Sequence, residues 1–167
     1  MLKTINKSSV LIMFFIVTFL FISCDKKRIF DEYLPISNQK WSKHNTLQFA
    51  FTATDTLQKH NLFINVRNNK DYPFSNLFII AQMSFPDGNV ITDTLEYDMA
   101  DGAGRFLGEG TLDIKDNKLF YKEKIIFPAK GTYTFKVRQS MRKNGNVDGI
   151  EELDGLTHVG FRIEKTE

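Results

Sequence analysis

The sequence predicts an all-β chain folded as an antiparallel β-sandwich of about seven or eight strands, with an immunoglobulin-like or jelly-roll-like arrangement. Five runs alternate apolar and polar residues with a period of two, which is typical of strands that bury one face. Pro and Gly turns separate these runs, and no window of ten or more residues has a sustained helical period. A small barrel is the alternative arrangement of the same strands.

The five alternating runs cover residues 47–52, 62–67, 77–84, 133–139 and 159–164. Because successive side chains on a strand point to opposite faces, each run has one face in a core and one toward water. The residues predicted to share the buried faces are Leu47, Phe49, Phe51, Leu62, Ile64, Val66, Leu77, Ile79, Ala81, Met83, Tyr133, Phe135, Val137, Gln139, Val159, Phe161 and Ile163.

Turn residues separate the runs. Pro-Asp-Gly-Asn at 86–89 and Pro-Ala-Lys-Gly at 128–131 predict tight turns. A longer connection with Asn-Gly and Asp-Gly pairs is expected at 142–155. A further short strand is predicted at 124–127, and residues 95–103 are the most helix-permissive stretch.

The first 23 residues are predicted to be a secretory signal. Lys3 and Lys7 are the only charged residues before Asp25, and residues 10–22 are apolar except for Thr18. A basic start followed by a short apolar run is the pattern of a signal peptide. The apolar run is shorter than the ~20 residues that a comfortable membrane span requires.

The lone cysteine of the chain stands where such a signal is cut. Phe-Ile-Ser-Cys at 21–24 resembles a bacterial lipobox, with Phe21 at the position where Leu is usual. The resemblance implies cleavage before Cys24, lipid attachment to its thiol and acylation of the new amine. The chain is therefore divided into a lipoprotein signal peptide at 1–23, a lipidated tether and entry segment at 24–45, and a β-sandwich domain at 46–167.

The charge balance excludes several classes of partner. The chain has 22 basic and 20 acidic residues, and removal of the signal leaves 20 of each. A mature chain without net charge is not expected to bind nucleic acid. Within residues 25–45, Phe30 and Trp41 are the apolar exceptions, and we expect both to pack against the domain rather than to form a binding site.

No catalytic or metal site is predicted. His44, His60 and His158 lie on different segments, and one cysteine excludes a Cys-clustered zinc site. The 144–149 segment resembles the start of a calcium loop, but its twelfth position is Gly155 instead of the bidentate Glu. No cofactor beyond the covalent lipid on Cys24 is expected, and the chain is interpreted as a non-enzyme.

Several short strings follow the lipobox in a particular order. They are VRN at 66–68, DYPFSNL at 71–77, PDG at 86–88, DTL at 93–95, LGEG at 107–110, FP at 127–128, GTY at 131–133, QSMR at 139–142 and VGFRIE at 159–164. Taken together, these strings resemble the gliding-motility lipoprotein GldH family of the Bacteroidota. Phe106 departs from the Trp that the family pattern leads us to expect before Leu-Gly, and this exchange keeps an aromatic ring.

The resemblance implies a cell-envelope lipoprotein that is needed for surface gliding. It implies work beside other gliding lipoproteins and type IX secretion components, as a structural or assembly component without catalytic residues. The acylated N-terminus is expected to bind the lipid membrane. The basic run at 25–28 favours the periplasmic face of the outer membrane.

A protein-docking surface is predicted near one end of the sandwich, formed by Tyr72, Asn76, Gln139 and Arg142. Loops on rigid sheets often carry binding residues.

Two other functions remain open. A glycan- or solute-binding envelope lipoprotein would need aromatic platforms or a concave pocket. An inhibitor of an envelope enzyme would need a protruding loop, for which 142–155 is the candidate.

Overall fold

The structure is a computed structural model that describes residues 25–110 and 112–166. The described residues confirm an all-β, antiparallel sandwich. Within them, no helix has the length and apolar character needed to cross a membrane. The elements are β1 (Arg28–Pro35), a 3-10 turn (Ser37–Gln39), β2 (Lys40–Ser42), β3 (Leu47–Ala53), β4 (His60–Asn68), β5 (Asn76–Ser84), β6 (Val90–Asp98), β7 (Lys115–Ile125), β8 (Gly131–Gln139), β9 (Glu152–Asp154) and β10 (Leu156–Lys165).

Two four-stranded sheets make up the sandwich. Sheet I has the strand order β1-β10-β4-β7, and sheet II has the order β3-β8-β5-β6. All neighbouring strands in these sheets are antiparallel. The short strands β2 and β9 pair with each other across one end. The sandwich thus contains eight main strands, as the sequence predicts, and an additional two-stranded ribbon.

The core between the sheets is rich in aromatic rings. All the residues predicted to face inward on the five alternating runs are buried. Phe135 of β8 stacks on Phe161 of β10, with ring centroids 4.0 Å apart. Phe51 of β3 stacks on Tyr133 at 5.5 Å. The inward-facing residues of the five runs are most of the buried apolar side chains. Each fully buried large apolar side chain stabilises the fold by about 1.5–3 kcal/mol.

Residues 25–45, within the predicted tether and entry segment, contain two strands of the fold. Strand β1 is an edge strand of sheet I, and β2 is half of the small ribbon. Trp41 is fully buried, and its Nε1 donates to the Asn45 carbonyl at 2.9 Å. The Phe30 ring lies 5.8 Å from that of Phe51, so both aromatic residues pack as predicted. No alternation marks β1 in the sequence because all its residues are exposed or only partly buried.

Two more strands differ from the sequence prediction. The helix-permissive stretch 95–103 begins inside strand β6. The separate strand predicted at 124–127 is wrong, because residues 124 and 125 are the end of the longer strand β7. Lys124 has a positive φ of 49°, which ends the regular extended backbone. Both β6 and β7 bury few side chains completely, so their apolar period is weaker than that of the predicted runs.

The sandwich has two chemically different ends. We call the end where the described chain begins the proximal end, and the opposite one the distal end. The proximal end is formed by residues 25–29, 54–59, 85–91, 123–130 and 165–166, and the distal end by residues 36–46, 69–75, 98–110, 112–114 and 140–155.

His60 makes the stability of the proximal end sensitive to pH. It begins β4, is 5% exposed, and its ring lies 5.2 Å from that of Phe127. Burial lowers its pKa below the ordinary value, so the unfolded chain binds the proton more readily. The free energy of unfolding should therefore fall as the pH drops below about 6.5. We expect His60→Phe to remove this dependence between about pH 7.5 and 5.5 in thermal unfolding, while the wild type loses stability over that interval.

Candidate functional site

A groove of about 920 Å³ lies at the distal end of the described chain. The turn before β5, the end of β6, the loop after β8 and strand β9 form its walls. Residues that line it and carry the argument below are Asn76, Glu96, Asp98, Arg142, Lys143 and Glu152.

Tyr72 supports one wall of the groove from below. It is 3% exposed, and its hydroxyl donates to the Asn76 carbonyl at 2.6 Å. Burial raises the pKa of this phenol far above its usual range, so the hydroxyl stays protonated as a donor. The backbone of Gly155, with φ of +80°, packs directly against residues 71 and 72. Tyr72 thus fixes the position of the chain that enters β5.

Gln139 supports the opposite wall in the same way. It ends β8 and is fully buried. Its Nε2 donates to the Ile150 carbonyl at 2.7 Å, and its Oε1 accepts from the Met141 amide at 2.8 Å. These two bonds satisfy a buried amide with the backbone of the loop that follows β8. Gln139 therefore holds both stems of that loop.

Asn76 and Arg142 line the groove itself. Asn76 Nδ2 donates to Glu96 Oε1 at 2.7 Å, which joins the start of β5 to β6. Arg142 is exposed, and its backbone forms an isolated bridge with Gly149 across the loop. The four residues proposed from sequence therefore meet at the distal end, with two of them on the groove wall and Tyr72 and Gln139 buried beneath it.

The groove carries opposite charges on its two sides. Arg142 and Lys143 stand on the loop after β8, whereas Asp98 and Glu152 come from the β6 and β9 sides. Within residues 25–110 and 112–166, none of these four side chains forms an ion pair. Asp154 is the exception on the acidic side, since Lys40 Nζ lies 3.2 Å from its carboxylate. Charged groups without intramolecular partners are available to an external one.

Sequence reasoning missed most of the charged wall residues. Glu96 and Asp98 lie at the end of an edge strand, and Glu152 lies on a three-residue strand. These positions are far apart in sequence, so only the pairing of β5 with β6 and of β2 with β9 brings them to one end. The 142–155 segment, predicted as a protruding loop, forms a wall of the groove and contains β9.

A second charged cluster lies on the outer face of sheet I around Arg162. This side chain is 16% exposed; Nη1 contacts Asp31 at 2.7 Å and Nε contacts Glu164 at 2.6 Å. Nη2 pairs with Asp25, and Lys118 Nζ lies 2.7 Å from Glu164. Burial opposes the charged guanidinium, but the surrounding carboxylates outweigh it and raise its pKa. The members satisfy one another, so the cluster holds residue 25 against β10.

Metal-binding groups are dispersed. Across residues 25–110 and 112–166, no three His, Cys, Asp or Glu side chains are grouped closely enough to hold a metal ion. His44 follows β2, His60 begins β4 and His158 lies within β10. Cys24, the predicted lipid attachment point, lies outside the described residues.

Comparison with known proteins identifies the family. The family model described as GldH lipoprotein matches residues 28–163. A gliding motility lipoprotein GldH homolog of Christiangramia forsetii is 50% identical over 162 residues, covering 96% of this chain and 99% of the relative. Gliding motility lipoprotein GldH of Flavobacterium johnsoniae is 44% identical over 163 residues, covering 98% and 99%.

Solved structures overlap more weakly. The crystal structure of the infectious bursal disease virus VP2 subviral particle has a TM-score of 0.40 and 14% identity, with 86% of this chain and 34% of that chain covered. The family model and both relatives, in contrast, extend over nearly the whole chain, including every strand of the two main sheets. The chain belongs to the GldH lipoprotein family.

Proposed function

We propose that this chain is a non-enzymatic, lipid-anchored structural or assembly component of the gliding motility machinery, and that it is linked to type IX secretion. The observation that carries the proposal is the end-to-end match to relatives named as gliding motility lipoproteins, at 44% and 50% identity. Its partners in this proposal are other gliding lipoproteins and type IX secretion components.

The proposed anchor is a lipid on Cys24, and the proposed location is the outer membrane, facing the periplasm. The lipobox-like sequence at 21–24 and the basic run at 25–28 support this. Two or more acyl chains hold a protein stably on a bilayer, at about 0.8 kcal/mol per buried CH₂ group. The domain then works as a membrane-tethered surface.

The proposed docking site is the distal groove. Its support is the pair of oppositely charged walls, in which Arg142, Lys143, Asp98 and Glu152 lack ion pairs among the described residues. Such a surface suits a protein partner with alternating charge, because complementary charges guide and orient the contact. Tyr72 then belongs to the framework that shapes the groove and does not itself contact the partner.

A deletion of the gene tests this function. We expect loss of colony spreading and reduced type IX cargo release, with both restored by the wild-type gene. Cys24→Ala should leave folded protein but fail to restore spreading, because the domain is then no longer tethered. Mass spectrometry of Cys24 and the amount of folded protein are the controls. Normal spreading and cargo release in the deletion strain would contradict the proposal.

A glycan- or solute-binding lipoprotein is the second candidate function. The observation that favours it is the groove volume of about 920 Å³, which falls in the range of small-molecule sites. Phe74 and Phe78 are partly buried and line the same groove. This candidate predicts a rise in Tm when soluble cell-wall glycans are added to the purified protein, whereas the docking role predicts no shift.

A further inference from the structure

Residues 25 and 27, at the start of the described chain, are held directly against β10 at the proximal end. Arg162 pairs with the Asp25 carboxylate, and the Lys165 amide donates to the Lys27 carbonyl at 2.8 Å. The Thr166 amide donates to the Lys59 carbonyl at 3.0 Å, which closes the same end. Consecutive Cα atoms are about 3.8 Å apart, so a lipid on the residue that precedes Asp25 would hold this end of the sandwich against the bilayer.

Large apolar side chains are exposed at this same end. Leu57 is 85% exposed, Val90 51%, Ile29 47%, and Ile91 and Ile126 43% each. They lie on different segments: the start of β1, the loop before β4, the start of β6 and the loop after β7. Isolated exposed apolar residues are ordinary, and the distal end also exposes Leu107, Leu112, Ile114 and Val147. What distinguishes the five at the proximal end is their place beside the proposed anchor and among basic residues, a combination suited to a membrane interface.

Beside them lies an apolar cavity of about 310 Å³. Phe85, Ile91, Ile126 and Pro128 line it. Its walls include the β5–β6 turn, the start of β6 and the loop after β7. Ile91 and Ile126, two of the five exposed side chains, therefore belong to the same apolar region as the cavity.

The charge of the two ends differs in sign. The proximal segments contain seven basic residues, three of them at 26–28 and the others Lys59, Lys124, Lys130 and Lys165, against four acidic residues. The distal segments contain six basic and nine acidic residues. The mature chain as a whole has no net side-chain charge. A basic end is attracted by anionic headgroups, and an acidic end is repelled by them.

We propose that the proximal end is a membrane-contact surface, with Ile29, Leu57, Val90, Ile91 and Ile126 inserted at the headgroup layer and the surrounding lysines among anionic headgroups. This inference rests on the proposed lipid anchor of the function above. It orients the domain: the sandwich stands on the bilayer, and the distal groove faces away from the membrane. The lipid and the apolar side chains then act together, which strengthens a tether of few residues.

Fluorophores placed at both ends test this orientation. Leu57→Cys and Ile126→Cys report the proximal end, and Val147→Cys, at a residue 89% exposed in the distal loop, is the matched apolar control. Each variant is purified as the acylated full-length mature protein, so that the introduced thiol is the free one. It is labelled with bimane and reconstituted into vesicles of phosphatidylethanolamine and phosphatidylglycerol that contain a nitroxide-labelled lipid.

We expect about a twofold loss of bimane fluorescence at residues 57 and 126 and none at residue 147, since interfacial side chains enter a membrane by about 5–10 Å. Equal, weak quenching at all three positions, with Cys24 acylated, would overturn the inference and leave the proposed function standing. Shielding of residue 126 in cells but not in vesicles would also overturn it, because a protein would then cover this end. Absence of acylation on Cys24 would contradict both proposals.

Discussion

Replacing Gly155 with alanine is expected to cost about 3–5 kcal/mol of the free energy of unfolding, from strain at positive φ combined with overpacking. Gly155 has a φ of +80°, and a Cβ at this position would lie 2.5 Å from Tyr72 Cα and 2.6 Å from the Asp71 carbonyl carbon. The obstacle is backbone, which cannot rotate away. The clash would displace the segment that carries Tyr72, and with it one wall of the groove.

Gly145→Ala is the matched control for this prediction. Gly145 has a nearly identical φ of +83°, but nothing lies within 4 Å of a Cβ built there. We expect a loss of about 1–2 kcal/mol from backbone strain alone. Urea unfolding followed by the fluorescence of Trp41 compares the two variants. Equal losses of stability in both would show that the contact between Gly155 and residues 71 and 72 does not limit the fold.

Arg162→Met is expected to lower the free energy of unfolding by about 3 kcal/mol, because it removes the cation that several partly buried carboxylates share. Asp31 on β1 and Glu164 on β10 would lose the guanidinium that lies between them, and Asp25 would lose its hold on the sheet. We also expect faster proteolysis at residues 25–28. Arg105→Met, at an arginine whose side chain is 82% exposed in its pair with Asp101, is the control and should change stability little.

The pH dependence of this variant follows from the carboxylate pKa values. Hydrogen bonds from Arg162 lower the pKa of Asp25. For Glu164, burial favours the neutral acid, but Lys118 and Arg162 outweigh it and lower the pKa. This stabilisation is present above about pH 4.5 and is lost as the pH falls toward the folded-state pKa values. The stability difference between wild type and Arg162→Met should therefore narrow below about pH 4.5. A constant difference down to about pH 3 would contradict this account.

Sequence periodicity predicted the strands that bury a full face. Strands β4, β8 and β10 lie inside their sheets, and their alternating side chains enter the aromatic core. Strands β1, β6 and β7 were missed or misplaced because few of their side chains are fully buried. Strand β3 is an edge strand too, but it was predicted because every second side chain in it is buried. Strand length did not decide which strands could be predicted from the sequence. Strand β7 was misplaced although it is the longest strand, with 11 residues.

The candidate site was predictable in its location but not in its charge. Tyr72, Asn76, Gln139 and Arg142 meet at one end because β5 and β8 are neighbours in sheet II. Tyr72 and Gln139 are buried and support the groove, whereas Asn76 and Arg142 line it. No sequence pattern indicated that Tyr72 is buried. The acidic wall depends on β6 and β9, whose positions follow from long-range pairing. Sequence spacing carries no information on such contacts.

The proposed partner-docking site is the distal groove, at the end that faces away from the proposed anchor. A double charge reversal, Arg142→Glu with Lys143→Glu, changes the basic wall without touching the buried supports. Lys136→Glu with Arg138→Glu is the matched control, since both residues stand on the outer face of sheet II, outside the groove. Among the described residues these two cations also lack ion pairs.

Colony spreading of a deletion strain that carries each double variant is the most direct test. Thermal unfolding and mass spectrometry of Cys24 first establish that both variants are folded and acylated. We predict that the groove variant fails to spread and that the sheet variant spreads like wild type, because only the former removes charges that a partner would contact. Wild-type spreading by the folded, acylated groove variant would contradict the assignment of this groove as the docking surface.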